Sequence, residues 1–286
     1  MTHIRPEEAH ILVVGLVRNA AQALPGDIVR TAAALGFARK LSWLVIESDS
    51  QDATLEVLEQ CRKTHENFRP VSLGALAPSL PKRTERIAHC RNTALDTIAA
   101  DYGDVDYVIL SDMDDLNRKL TREGVLSCWD RDDWGACMAN QSGRYYDIWA
   151  LRHDAWCPND CWEQNAFFEA HGAGGIWSRL ATVYLKMLRI PQEADWIEVR
   201  SAFGGFAVYT REALLSGRYT GSYPDGRELC EHVPFHAMLR DAGHRLFINP
   251  RMINAHYSSH MPWYAALRKL RGKIRAPLRR LGLLPG

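Results

Sequence analysis

DYVILSDMDD, residues 106–115, decides the reading of this chain. Asp106 to Leu110 has the length and apolar character of a short buried strand, and it runs directly into Ser111 and the carboxylates of Asp112, Asp114 and Asp115. The same form recurs upstream. Ile11 to Val17 is apolar except for Gly15, and Leu41 to Glu47 is a second strand. A third is predicted at Arg69 to Leu73. Between them the periodicity predicts helices over 20–41, 53–65 and 82–100, the first opened by Pro25 and Asp27 and apolar at Ile28, Ala32, Leu35 and Ala38. The order is β-α-β-α-β-α-β. Strands alternating with helices make an α/β, Rossmann-like, mostly parallel sheet with helices on both faces.

The polar clusters fall where such a sheet holds its ligands. Arg18-Asn19, Glu47 to Asp52 and Ser111 to Asp115 each lie just beyond the carboxyl end of a strand, at the crevice where open α/β sheets bind. The second half is more aromatic and less periodic, as in a smaller mixed region. Strands are predicted at Tyr145 to Trp149, Phe203 to Tyr209 and Leu246 to Asn249, the last ended by Pro250. A helix is predicted over 227–242 with Pro234 near its start, where a missing N–H costs little. No linker separates the halves, so residues 1–262 are expected to form one domain. Its nucleotide-binding half spans about 10–116 and its acceptor half about 117–262.

Length and composition permit one large globular domain or two small ones. The 286 residues are 47% hydrophobic and 24% charged, which is ordinary for a folded protein with a sizeable core. MTHIRPEEAH lacks the basic and apolar regions of a signal peptide, and no apolar run approaches the roughly 20 residues of a membrane span. A cytoplasmic protein is expected. Seven cysteines at irregular spacing suit buried thiols in a reducing compartment. Cys157 and Cys161 have no second pair at zinc-ligand spacing. Net charge is +1, yet residues 263–286 carry seven Lys and Arg and no acid, so the rest of the chain carries −6. An acidic body argues against nucleic-acid binding.

Two carboxylates one residue apart at a strand end point into the same space. Asp112 and Asp114 together suit Mg²⁺ or Mn²⁺ bound against nucleotide phosphates, with Asp115 as a spare acid. Ser111 and Met113 flank the first carboxylate and are counted with the nucleotide site. Glu47 and Asp49 are placed to accept hydrogen bonds from a base or ribose, while Asp52 suits a helix cap. On the third helix Arg83 and Arg86, three residues apart, and Arg91-Asn92 are candidates for the diphosphate, with Arg18 just past the first strand. Glu231 begins the late helix, where the dipole stabilises a charged carboxylate suited to act as general base. His256 follows the last strand and is a candidate third metal ligand.

With these residues in view, the chain resembles the GT-A glycosyltransferase superfamily, and within it the fungal capsule α-1,3-mannosyltransferases, glycosyltransferase family 69. The resemblance rests on LVRNA (16–20), IESDSQDAT (46–54), RIAHCRNTAL (86–95), DYVILSDMDD (106–115), YYDIWALR (145–152) and FGGFAVYT (203–210), in the family's order. It implies a GT-A fold, a GDP- or UDP-hexose donor with mannose the best guess, a metal at Asp112 and Asp114, and the nucleoside near Glu47 and Asp49. It places Gly204-Gly205 in the acceptor or donor loop, on whose side Tyr146, Asp147, Trp149 and His232 are counted. CEHVPFHAMLRDAGHRLFINP (230–250) resembles a wider GT-A pattern in which an acidic pair opens a helix. Glu231 takes the first acidic place, and His232 stands where the second acid is expected. The acceptor implied is a surface-polysaccharide or lipid-linked glycan.

Two other readings compete. An aspartyl phosphotransferase would use DMDD as nucleophile, but that chemistry places the acids after the first strand. A non-catalytic glycan-binding module would use Tyr145, Tyr146, Trp149 and Trp177. In the tail, Trp263, Leu267, Leu270, Ile274, Leu278 and Leu281 recur at three- and four-residue steps among basic residues. That pattern is an amphipathic helix on an anionic membrane surface, interrupted by Pro277.

Overall fold

The computed structural model of the chain describes residues 3–256, which belong to one compact unit. The expected membrane-binding tail lies outside the described residues. The strands are β1 (His10–Val17), β2 (Lys40–Glu47), β3 (Phe68–Ser72), β4 (Tyr107–Asp112), β5 (Ala136–Gln141), β6 (Ile197–Glu198), β7 (Phe206–Thr210) and β8 (Leu246–Ala255). They form one sheet in the order β3-β2-β1-β4-β7-β5-β8-β6. β3, β2, β1 and β4 are mutually parallel, β7 is antiparallel to β4 and β5, and β8 is parallel to β5. The helices α1 (Leu24–Ala34), α2 (Thr54–Thr64) and α3 (Arg83–Asp101) connect the first four strands.

Burial on both faces explains the continuous apolar runs. Ile11, Val13, Trp43, Val45, Ile109, Val208 and Phe247 belong to one core cluster, while the alternate residues Leu12, Leu44, Ile46 and Val108 are equally buried on the other side. β1 can accept Met113 against its flank because residue 15 is glycine. A Cβ there would lie 2.4 Å from Met113 Sδ. Met113 is therefore a core side chain, while Asp112 at the strand end is half-buried and Asp114 beyond it is exposed.

Several predicted elements differ. The first helix is shorter than 20–41 and the late helix, α8 (His232–Asp241), starts later than 227. Tyr145 to Trp149 is a loop rather than a strand. It turns where Ile148 N–H donates to the Tyr146 carbonyl, and the Asp147 carboxylate takes Gly204 N–H at 2.9 Å. Pro250 does not end β8. The β5–β8 register slips between Met138 and Asn140, and Asn140 donates to the Pro250 carbonyl at 3.0 Å, so the irregular step is closed by a side chain. The strands β5 and β6 carried too weak a pattern to be predicted. The helices α4 (Arg122–Leu126), α5 (Cys161–Ala170), α6 (Gly175–Thr182) and α7 (Arg211–Leu215) were also missed. All seven cysteines are buried and free.

Candidate functional site

The carboxyl ends of β1, β2 and β4 meet the start of β7 at one edge of the sheet. Asp112 N–H donates to the Gly205 carbonyl at 2.9 Å, which ties the end of β4 to the turn before β7. That turn needs glycine twice. Gly204 has φ +72° and Gly205 φ +85°, and a Cβ on Gly205 would lie 2.2 Å from Leu116 Cδ2, 3.0 Å from Tyr146 Oη and 3.2 Å from Asp112 Oδ2. The acidic strand end, the glycine turn and Tyr146 are thus one assembly.

Three buried amides lock it. Asn117 donates to the carbonyls of Asp112 at 2.8 Å and Gly205 at 3.3 Å. Asn254, on β8, donates to Asn117 Oδ1 at 2.8 Å and to the Gly204 carbonyl at 2.7 Å. Gln141, at the end of β5, donates to Gly204 and Asn254. Asn117 is 1% exposed and Gln141 and Asn254 are 0% exposed, so the amides are fixed by protein partners, Gln141 through Nε2 alone. Sequence reasoning missed all three. The available signal was polar side chains at the inward ends of apolar strands, as in INAH.

The electrostatics are lopsided. Burial pushes the half-buried Asp112 carboxyl up to about 7, helped by the negative charges of Asp114, Asp147 and Glu231 and opposed by Arg91. Arg91 is itself buried, with Nε 3.0 Å from Glu231 Oε1 and its guanidinium 5.2 Å and 5.4 Å from the ring centroids of Phe203 and Tyr219. Burial and the nearby Asp147 and Asp112 hold the Tyr146 phenol protonated. The site therefore gathers more negative charge than Arg91 offsets. Two strand-end carboxylates in such a field suit a hard divalent cation, which takes one or two carboxylates together with substrate phosphates. Among the described residues, no three His, Cys, Asp or Glu side chains form a metal cage on their own. The expected third ligand, His256, is not gathered with the two aspartates. It is exposed beyond β8, its Nδ1 lies 2.7 Å from Ser142 Oγ, and Lys119 and Arg189 are close enough to help burial lower its pKa.

Other expected residues have structural occupations. Asp115 adopts φ +69° and pairs with Arg30 and Arg118, so it is not a spare ligand. Glu47 is 2% exposed and accepts from Ser50 N–H and the Ser72 hydroxyl, closing the β2 loop. Asp49, at φ +60°, accepts from Ala77 N–H at 2.9 Å and pairs with Arg86 at 3.5 Å, while Arg86 also donates to the Leu80 and Pro81 carbonyls. Asn92 spends both ends of its amide on the Tyr219 backbone. Ser111 is buried, with its hydroxyl on the Asp112 carbonyl. Trp149 is half-buried, and its carbonyl accepts from Arg152. Asp52 is not the cap of α2: the N-cap is Ala53, without a side-chain cap bond, and Asp52 one residue earlier accepts from Thr54 N–H at 3.1 Å. Arg18 and Arg83 remain exposed.

At the start of α8, Glu231 is 6% exposed. Its Oε1 is held by Arg91, while Oε2 accepts no hydrogen bond among the described residues. His232 stacks on Phe203 at 4.3 Å, neither ring nitrogen has a hydrogen-bond partner among the described residues, and burial with Arg91 drives its pKa far down. A neutral imidazole thus occupies the place of the second acid.

These features define an α/β fold of the GT-A type, with a strand-end aspartate, Asp112, facing a glycine turn. No family model matches the chain, and no curated protein matches it. Among solved structures, the chain is similar to a mannosyltransferase of Pyrobaculum calidifontis in complex with GDP-Man and Mn²⁺. That match has 16% identity and a TM-score of 0.52 and covers 93% of this chain and 61% of that one. It is also similar to TarS of S. aureus, with 12% identity and a TM-score of 0.50 over 87% of this chain and 36% of that one. The chain spans about three fifths and one third of the two lengths, respectively.

Proposed function

We propose that this protein is a metal-dependent glycosyltransferase that moves a hexose from a nucleotide-sugar donor to a hydroxyl of a glycan or lipid-linked glycan, on the cytoplasmic side of the membrane. The carrying observation is Asp112 at the end of β4, held against the Gly204-Gly205 turn, with the exposed carboxylate of Asp114 two residues on. Asp112 and Asp114 would hold Mn²⁺ or Mg²⁺, which stabilises charge on the departing diphosphate. Asp147 fixes the glycine turn through Gly204 N–H, and Tyr146 offers a protonated hydroxyl beside Asp112. Arg91 orients Glu231 through Oε1, leaving Oε2 to accept the proton of the acceptor hydroxyl. The solved mannosyltransferase bound to GDP-Man and Mn²⁺ and the family 69 motifs both favour GDP-mannose as donor.

The test is a panel of GDP- and UDP-sugars with and without Mn²⁺, read by thermal midpoint and donor hydrolysis. A donor at about 100 times its Kd adds about 2.7 kcal/mol, or about 5–10 °C for a chain of this size. A glycan-binding module would ignore every nucleotide, and that result refutes the reading.

A further inference from the structure

The α5–α6 pair is packed with its polar side inward. Ser178 and Thr182 of α6 are 0% exposed, and the Ser178 hydroxyl donates to the backbone carbonyl and side-chain oxygen of Asn165 on α5, at 2.9 and 2.8 Å. Asn165 is itself buried. Four large apolar residues of the same stretch face out, Ile176 at 84% exposed, Trp177 at 71%, Leu185 at 63% and Leu188 at 50%, while Val183, Met187 and Ile190 between and beyond them are buried. This inverts the pattern of an ordinary surface helix, whose apolar stripe is buried. Exposed apolar groups of this size, adjacent in sequence, mark an interaction surface rather than scattered surface residues.

Charge selects the partner. From residue 170 to residue 192 there is no Asp or Glu, while Arg179, Lys186 and Arg189 lie among the exposed apolar side chains. The body outside the tail is acidic overall, so this acid-free stretch is a local exception. Tryptophan and aliphatic side chains flanked by cations suit the boundary between headgroups and acyl chains of an anionic bilayer. Its position also matters. Tyr145 N–H donates to the Leu188 carbonyl at 2.8 Å, and Arg144 bridges Arg189, so the stretch runs directly into the loop that carries Tyr146 and Asp147.

We infer that Ile176 to Arg189 is a docking face for an anionic lipid bilayer, which places lipid-borne acceptors beside the Tyr146–Asp147 loop. The acceptor half of this statement rests on the proposed transferase activity; the docking half does not, and it is read without turnover. The experiment is co-sedimentation of the full chain with vesicles of phosphatidylcholine and phosphatidylglycerol in equal parts, against phosphatidylcholine alone. The wild type is expected to pellet with the anionic vesicles and to be partly released by salt. The pair Ile176→Glu and Trp177→Glu should lower partitioning by about tenfold or more, since each loses an apolar group from the lipid. Leu185→Glu, beyond the helix, should lower it independently, and both variants should retain wild-type far-ultraviolet circular dichroism. Wild-type partitioning by both folded variants would assign any binding to another part of the chain and overturn the inference. So would a wild type that ignores anionic vesicles, including one that forms a dimer dissociated by the Trp177 substitution. If the wild type binds vesicles and the variants lose that binding, but no nucleotide sugar shifts the thermal midpoint, the docking face stands and the transferase reading falls.

Discussion

Replacing Arg91 with methionine tests the electrostatic core of the site. The side chains of Arg91 and Glu231 are 10% and 8% exposed, and their 3.0 Å contact joins α3 to the start of α8 across 140 positions of sequence. Removing one partner leaves a buried carboxylate uncompensated, which costs about 3–5 kcal/mol. The guanidinium also lies over Phe203 and Tyr219, contacts that methionine replaces only as an apolar filler. At about 2–4 °C per kcal/mol for a chain of this size, the thermal midpoint should fall by about 10 °C. Denaturant unfolding at neutral pH with chelator measures the loss directly. The double variant Arg91→Met, Glu231→Leu removes both charges and should recover much of the stability, because an apolar pair of similar volume replaces an ion pair at little cost. Arg91 also opposes the upward push on Asp112, so its loss should move Mn²⁺ binding to higher pH. A single variant costing under about 1 kcal/mol, or a double variant less stable than Arg91→Met, would refute the reasoning.

Asp114→Ala should abolish Mn²⁺-dependent nucleotide binding while leaving the denaturation midpoint within about 0.5 kcal/mol, because the residue is exposed; near-normal turnover would remove Asp114 from the site. Asp112, raised from 3.8 to about 7, keeps its proton longer in the folded chain. Its stabilisation is therefore full below about pH 4 and lost as pH rises toward 7, at most about 4 kcal/mol. Asp112→Asn should remove that slope in chelator, and parallel stability curves for the two proteins would contradict it. Gly205→Ala should lower stability by about 2 kcal/mol or more and weaken metal binding, since its Cβ meets Leu116 and Asp112; calorimetry and Mn²⁺ titration check both. Glu231→Gln should reduce kcat by about 10²-fold with little change in donor affinity. Steady-state kinetics with an unchanged kcat would leave Glu231 a purely structural partner of Arg91.

The parallel half of the fold was written locally. Ile11 to Val17, Leu41 to Glu47 and Tyr107 to Leu110 are strands whose burial on both faces makes them continuously apolar, and the helical period between them is a property of neighbouring residues. The aspartate pair was legible for the same reason: the apolar strand runs straight into it, so Asp112 falls at the strand end and Asp114 just beyond. Tertiary structure alone decided which polar residues remain available around that pair. Asp115, Glu47 and Asn92 have the right chemistry, but partners brought in by folding occupy them, whereas Asn117, Gln141 and Asn254 converge from separate segments to fix the glycine turn. Glu231 and Arg91 meet only because the fold brings the residue before α8 to the Arg91 side chain of α3, and no local pattern encodes a pair 140 residues apart. The orientation of α6 is likewise a packing result. Its residues suit either face of a helix, and hydrogen bonds from Ser178 to Asn165 turn the hydroxyls inward and leave Ile176 and Trp177 outside.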